Sequence, residues 1–445
     1  MSFNFRTIRC SRHMVSWAVG TRRSLPPLYH LQVRMQVRTL ATTSEKPFVL
    51  SSSGYLTFSY PGTARALRRC TLPNIWLRDN CRCDSCVHQG TMQRNFDTFH
   101  IPQDVEPSHI EVDNDGVKIQ WAEDEHESFY PWDFLEFYLN FDKREPESIE
   151  LEYFGAQGPQ GSQNWPPSLE YRDFSANETK AVGRLTDFIR RNGFVFVTGV
   201  PVDSAEPTKE LLEKIAFIRQ THYGGFYDFK PDLALADTAY TNMALGAHTD
   251  TTYFTDPAGL QAFHLLSHTD FSIEAIPETN LGGKSLLVDG FHAADILKKE
   301  DPTAFEVLSR VKLPWHASGN KGITISPDKP YPVLEVDESS GKTHRVRWNN
   351  DDRGVVPFDS IYSPDEWYRA ARKWNDILRR RSIEYWFQLK PGNLLVFDNW
   401  RVLHGRSAFT GERRICGGYI NRDDFISRWR NTNYPRDEIL KQIIG

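Results

Sequence analysis

Hydrophobic positions change period several times along this chain, and each change marks an element. Ser51 to Tyr60 alternates apolar with small residues and predicts a strand; Val117-Lys118-Ile119-Gln120-Trp121 alternates in the same way. From Asn177 to Arg191 the apolar residues Ala181, Leu185, Phe188 and Ile189 recur at helical spacing. The run Phe194-Val195-Phe196-Val197, bounded by Gly193 and Gly199, predicts a strand buried on both faces. Thr208 to Gln220 predicts a second amphipathic helix through Leu211, Leu212, Ile215, Ala216 and Ile218. Short apolar runs then alternate with turns, at Gly259–Leu266, Ser285–Val288, Thr343–Trp348, Leu394–Phe397 and Cys416–Ile420. Between them Pro364 to Phe387 predicts one long helix, opened by Ser363 as N-cap, Pro364 at the first position and Asp365 and Glu366 in the first turn. Many short strands with a few helices packed on them predict an α+β protein built on a sandwich or jelly-roll barrel. The turn-forming stretch Gly155 to Ser162 is the predicted domain boundary.

Composition narrows the class. A chain of 445 residues is long enough for two domains. A formal net charge of −5 gives no whole-molecule attraction to nucleic acid or anionic lipid, and no apolar run is long enough to cross a bilayer. Aromatic residues make up 13% of the chain, so an aromatic-rich core or site is expected. Residues 1–44 stand apart: they carry Arg6, Arg9, Arg12, Arg22, Arg23, Arg34 and Arg38, and no acidic residue precedes Glu45. That composition predicts a mitochondrial transit peptide and a matrix location, or a cytoplasmic one if the segment is only a basic tail.

Two clusters carry chemistry. Cys81-Arg82-Cys83-Asp84-Ser85-Cys86 packs three soft ligands into one loop and predicts a closed tetrahedral Zn²⁺ site; the fourth ligand could be His88, His100, His109 or His126, with His126, after a good strand, the first choice. The second is His248-Thr249-Asp250. Side chains two apart on an extended segment point to the same side. His404, at the end of the strand Leu394 to Leu403, would complete a two-histidine, one-carboxylate face, which leaves coordination positions open and suits non-haem Fe(II). The basic pair Arg413-Arg414 follows, and a guanidinium fork would suit a dicarboxylate beside that iron.

With these motifs the chain resembles the Fe(II)/2-oxoglutarate-dependent dioxygenases of carnitine biosynthesis. The resemblance rests on Trp76-Leu77-Arg78-Asp79-Asn80-Cys81, Asp237-Thr238-Ala239-Tyr240-Thr241, His248 through Phe254, Leu287-Val288-Asp289-Gly290-Phe291, and Phe397 through Arg406. It implies a double-stranded β-helix (jelly-roll) catalytic domain over 165–445, preceded by a small β-rich zinc-binding domain over 45–150. It implies His248, Asp250 and His404 as iron ligands, and Cys81, Cys83, Cys86 and His126 as zinc ligands. Arg413, with Arg414 as the fallback, would grip the distal carboxylate of 2-oxoglutarate. Ser285 stands where related enzymes often have a threonine on the same co-substrate, and ascorbate would keep the iron ferrous. The implied substrate is free N6,N6,N6-trimethyl-L-lysine, hydroxylated at C3, with γ-butyrobetaine as the alternative. A quaternary ammonium offers no hydrogen-bond donor and is read by aromatic faces. The implied cage is Tyr223, Tyr227, Tyr240 and Tyr419, with Asp237 adding negative charge and Asn349 meeting the carboxylate end. A homodimer is also implied; the charge and hydropathy noted above predict no nucleic-acid or membrane partner. A non-catalytic trimethyllysine-binding module is the rival from another class; it would need the cage but none of His248, Asp250, His404 or Arg413.

Overall fold

The computed structural model describes residues 47–61, 67–123, 125–139, 149–159, 165–230, 241–269, 281–319, 321–359 and 361–443. The segment expected to be a transit peptide lies outside them, as do Asp237 and Tyr240. The described residues divide into two compact units: one runs up to Asp79 and includes Thr98–Glu127, the other holds Asn80–Asp97 and everything from Ser128 onward. No helix among them is long and apolar enough to cross a membrane.

In the first unit, β1 (Phe48–Ser52), β2 (Tyr55–Pro61) and β3 (Leu67–Pro73) form an antiparallel sheet in that order. The single strand expected over Ser51–Tyr60 is therefore a hairpin. Ser52 pairs with Tyr55 across a tight turn, where Gly54 takes φ +76°, a conformation that side chains with a Cβ rarely adopt. A short helix, α1 (Asn74–Asp79), follows. Then β4 (Pro107–Val112) pairs with β5 (Gly116–Trp121), where Val117, Ile119 and Trp121 are all fully buried, as their alternation predicts.

The second unit is built on two sheets. Its elements run β6 (Ser168–Glu170), α2 (Glu178–Asn192), β7 (Phe194–Thr198), α3 (Glu206–Ile215), β8 (Tyr227–Phe229), β9 (Leu245–His248), β10 (Leu260–Thr269), β11 (Ser285–Asp289), α4 (Gly290–Glu300), α5 (Pro302–Arg310), β12 (Leu334–Val336), β13 (Thr343–Val346), α6 (Pro364–Leu378), β14 (Tyr385–Phe387), β15 (Asn393–Asp398), β16 (Val402–Arg406), β17 (Glu412–Ile420) and α7 (Arg422–Asn433). A six-stranded sheet has the order β8-β17-β10-β15-β7-β6, and a four-stranded sheet the order β9-β16-β11-β14. All neighbours are antiparallel except β6 and β7.

Period-two alternation divides the strand residues between two cores. Phe194, Phe196, Leu395, Phe397 and Leu265 of the six-stranded sheet join Leu287 and Val402 of the four-stranded sheet in one apolar cluster. Their neighbours Val195, Val197, Leu394 and Val396 face the other way, onto Leu185 and Ile189 of α2, Leu211 and Leu212 of α3 and Trp429 of α7. Each fully buried side chain of this size contributes roughly 1.5–3 kcal/mol, so a strand that fills both cores reads as an unbroken apolar run. A third cluster joins Leu286, Val288 and Leu403 of the four-stranded sheet to helices α4, α5 and α6.

Helix α2 begins and ends where expected. The Asn177 side chain accepts from the Lys180 N–H, and Gly193 closes the helix in a left-handed conformation. Two helices are shorter than predicted. Helix α6 has the expected N-cap at Ser363, which forms a capping box with Glu366, but stops at Leu378, and Tyr385-Trp386-Phe387 leaves it to pair with Ser285–Leu287. These bulky aromatics suit a pleated edge, and a strand partner outweighs two more helical turns. Helix α3 stops at Ile215 because Ala216 turns extended and Ile218 bridges to Ile420.

Candidate active site

The two histidines meet through strand register. His248 ends β9 and pairs directly with His404 on β16, and their ring centroids lie 4.3 Å apart. Asp250 follows on the same side, as alternation predicts, with its Oδ1 3.2 Å from His248 Nε2 and 3.7 Å from His404 Nε2. The three offer ligand atoms all within 4.8 Å of one another. His248 Nδ1 lies 2.8 Å from the Gly246 carbonyl, which orients the ring and leaves Nε2 as the free lone pair. Phe263 and Phe397 pack on the His404 ring at 5.4 and 5.1 Å.

The environment holds His404 and Asp250 in ligand-ready protonation states; at His248 burial is outweighed by the hydrogen bond and charge of Asp250, which raise it. Burial, with the His248 ring beside it, pushes His404 down to about 3. Burial would raise Asp250, but the two imidazoles and the Tyr419 hydroxyl outweigh it and hold the carboxyl well below its usual range. A neutral imidazole next to a carboxylate is what a divalent metal requires.

The loop carrying Asp250 is tied down from outside. Asp250 N–H donates to Asn399 Oδ1 at 2.9 Å, and Asn399 Nδ2 donates to the Asp250 and Ala258 carbonyls, both at 3.0 Å. Thr251 then adopts φ +58°, an uncommon conformation for a β-branched residue, while its hydroxyl accepts from the Ala258 N–H at 2.8 Å. Beyond it, fully buried Arg347 donates to the Phe254 carbonyl at 2.7 Å, and the Thr249 N–H donates to the Trp348 carbonyl at 2.8 Å. The carboxylate itself is held by Gln261 Nε2 and Tyr419 Oη, each 2.6 Å from Oδ2.

His248, Asp250, His404 and Gln261 line a cavity of about 1290 Å³. Ser285, Arg413, Tyr223, Tyr227, Tyr419 and Asn349 line it too, so every described residue expected at the iron, co-substrate or substrate site reaches one space. Arg413 is 5% exposed, and its Nε has no hydrogen-bond partner among the described residues. Burial first, and the charge of Arg406 second, push it down to about 10. A buried guanidinium in want of an anion is unfavourable, and an entering carboxylate would relieve it. The neighbouring Arg414 faces the other side of β17, where Nε and Nη2 grip Asp228 at 2.8 and 2.5 Å. Tyr227 donates to the Ala262 carbonyl at 2.7 Å, and its ring meets that of Tyr419 edge-on at 6.0 Å. The Asn349 side-chain oxygen accepts from the Asp351 N–H at 3.1 Å.

At the cysteine loop, Cys81, Cys83 and Cys86 offer thiol ligand atoms that all lie within 4.8 Å of one another. Three thiols at that spacing fit three positions of a closed tetrahedral metal site, for which the resemblance implies His126 as the fourth ligand.

Sequence reasoning overlooked Gln261, Asn399 and Arg347. Asn399 lay inside a stretch that carried the family resemblance, so a signal for it was present. Nothing in the sequence marks Gln261 as different from any other strand glutamine.

Comparison with known proteins adds an independent finding. Residues 152–419 match the family model "Taurine catabolism dioxygenase TauD, TfdA family", and residues 65–136 match "Gamma-butyrobetaine hydroxylase-like, N-terminal". A trimethyllysine dioxygenase of Neurospora crassa is 58% identical over 88% of this chain and 86% of its own. One from Meyerozyma guilliermondii is 40% identical over 83% and 92%. A human protein named mitochondrial trimethyllysine dioxygenase is 37% identical over 80% and 81%.

Proposed function

Because the chain belongs to the TauD/TfdA dioxygenase family, among its trimethyllysine dioxygenases, we infer that it converts N6,N6,N6-trimethyl-L-lysine, 2-oxoglutarate and O2 into 3-hydroxy-N6,N6,N6-trimethyl-L-lysine, succinate and CO2, the first step of carnitine biosynthesis. The observation that carries this reading is the convergence of His248, Asp250 and His404 on one cavity with buried Arg413, whose Nε has no hydrogen-bond partner among the described residues.

His248, Asp250 and His404 would hold Fe(II), and Arg413 the distal carboxylate of 2-oxoglutarate, with the Ser285 hydroxyl as a further contact. Bound iron and co-substrate supply O2 activation and the oxidising power needed to break a C–H bond. The chain's own residues bind, orient and exclude water. Tyr223, Tyr227 and Tyr419 offer ring faces to the trimethylammonium head, a set completed by Tyr240 and Asp237. Asn349 takes the carboxylate end through its amide N–H groups. Ascorbate would keep the bound iron ferrous.

The fold, the zinc ligands and the homodimer follow from the same resemblance, the matrix location from the arginine-rich, acid-free composition of residues 1–44, and the absence of nucleic-acid and membrane partners from net charge and hydropathy. The two sheets of the catalytic domain (165–445) form a double-stranded β-helix, or jelly roll. Cys81, Cys83, Cys86 and His126 hold a structural Zn²⁺ in an N-terminal domain (45–150). The protein is a homodimer of the mitochondrial matrix, delivered by residues 1–44, with no nucleic-acid or membrane partner.

Purified protein supplied with Fe(II) and 2-oxoglutarate is given either trimethyllysine or γ-butyrobetaine, and succinate and hydroxylated product are followed. Trimethyllysine should turn over faster, and His248→Ala should bring both products below detection. Faster hydroxylation of γ-butyrobetaine would overturn the substrate assignment. Tight binding of trimethyllysine without succinate release would make the protein a reader rather than an enzyme.

A further inference from the structure

We propose that Gln261 and Tyr419 are positioning residues that fix which carboxylate oxygen Asp250 presents to the metal. The proposal rests on the metal-site reading above but not on the identity of the substrate.

Gln261 and Tyr419 are register partners on β10 and β17, so their side chains emerge together on one face of the six-stranded sheet. Both donate to the same atom, Asp250 Oδ2, at 2.6 Å. Oδ1 is left facing the two histidine Nε2 atoms. Two short, charge-assisted hydrogen bonds occupy the lone-pair directions of Oδ2. Asn399 fixes the backbone of the same residue at its N–H and its carbonyl. The carboxylate is thus held at both ends and cannot rotate to offer both oxygens without breaking these bonds. Ligation through one oxygen uses one coordination position, whereas ligation through two would take a position that co-substrate or O2 needs.

Gln261 supplies the second line of argument. It is 1% exposed, and its Oε1 has no hydrogen-bond partner among the described residues. A leucine would fill much the same space without leaving that oxygen bare, but it could not donate to Oδ2. Packing alone therefore does not account for a glutamine here. Tyr419 has two tasks on this view. Its ring forms cavity wall beside Tyr227, and its hydroxyl holds the metal ligand.

The test separates ring from hydroxyl. Tyr419→Phe keeps the wall and removes the donor; Gln261→Leu removes the other donor, and Gln261→Met is the alternative if that variant does not fold. Iron-depleted protein is titrated with Mn(II), without co-substrate, and the wild type should bind in a His248-dependent manner. Each variant should bind Mn(II) roughly ten- to hundredfold more weakly. In the holoenzyme, Tyr419→Phe should lower kcat, leave KM for trimethyllysine within about twofold and release more succinate than hydroxylated product. Unchanged Mn(II) affinity in folded variants would overturn the proposal alone, and a raised KM with it would assign the hydroxyl to the substrate. Absence of Mn(II) binding by the wild type would remove the metal-site reading and this proposal together.

Discussion

At the scale of single residues, the site is governed by which polar groups are buried with partners and which without. Arg413 is the clearest case. Replacing it with lysine should raise KM for 2-oxoglutarate at least about tenfold, because a point charge does not reproduce a planar fork. Arg413→Met should raise the unfolding midpoint of ligand-free protein by roughly 2 °C, since it removes an uncompensated buried charge. It should also abolish the thermal stabilisation given by N-oxalylglycine; a melting series with and without that analogue checks both. His264 makes a second case, far from any proposed ligand role. It is fully buried, with Nδ1 2.6 Å from the Thr208 hydroxyl, and burial pushes it down to about 4. In the unfolded chain a histidine titrates near about 6.5. The unfolded state therefore binds the extra proton first, and stability present above that value is lost as pH falls towards 4. The loss attributable to His264 is on the order of 3 kcal/mol. His264→Gln should flatten the stability–pH curve between those limits, read as the difference between denaturation profiles of the two proteins.

At the scale of elements, the motifs that suggested the family turn out to be wiring between strands. Asp289 caps α4 by accepting from the Phe291 and His292 N–H groups, and it also takes Arg401 Nη2 at 2.6 Å. Arg401, 1% exposed, reaches on to the Arg191 and Glu152 carbonyls at 2.8 and 2.9 Å. One buried ion pair therefore joins the end of β11, the start of β16 and the end of α2. Asp289→Asn should destabilise the protein by about 3–5 kcal/mol, as expected when one partner of a buried pair is removed. Ser363→Ala, which deletes an exposed capping box, should cost only about 1 kcal/mol. Denaturant unfolding of the two variants would test this ordering. A larger effect from Ser363 would show that the Arg401 network matters less than its burial suggests.

At the scale of the whole molecule, two metal chemistries are expected in one chain: an open face for reaction and a closed one for structure. Protein stripped of iron under mild chelation should retain about one zinc per chain, as a closed Cys3His site holds its ion more tightly than an open face. Cys83→Ser should lose that zinc and lower the unfolding midpoint, measurable by metal analysis alongside a melting curve. The sequence by itself determined the candidate metal-ligating residues, the alternation that places His248 and Asp250 on one side, the span of α2, the N-cap of α6, and the family. Those features are local, or are carried by residue type, and residue type fixes ligand chemistry. Only the tertiary structure decided that α6 gives way to β14 at Tyr385, that Arg413 rather than Arg414 faces the cavity, and that Gln261, Tyr419 and Asn399 converge on Asp250. Asn399 lies 149 positions from Asp250. Partnerships of that kind depend on the register of strands brought together from distant parts of the chain, and register is set by the sum of the packing across both sheets, which no short stretch of sequence contains.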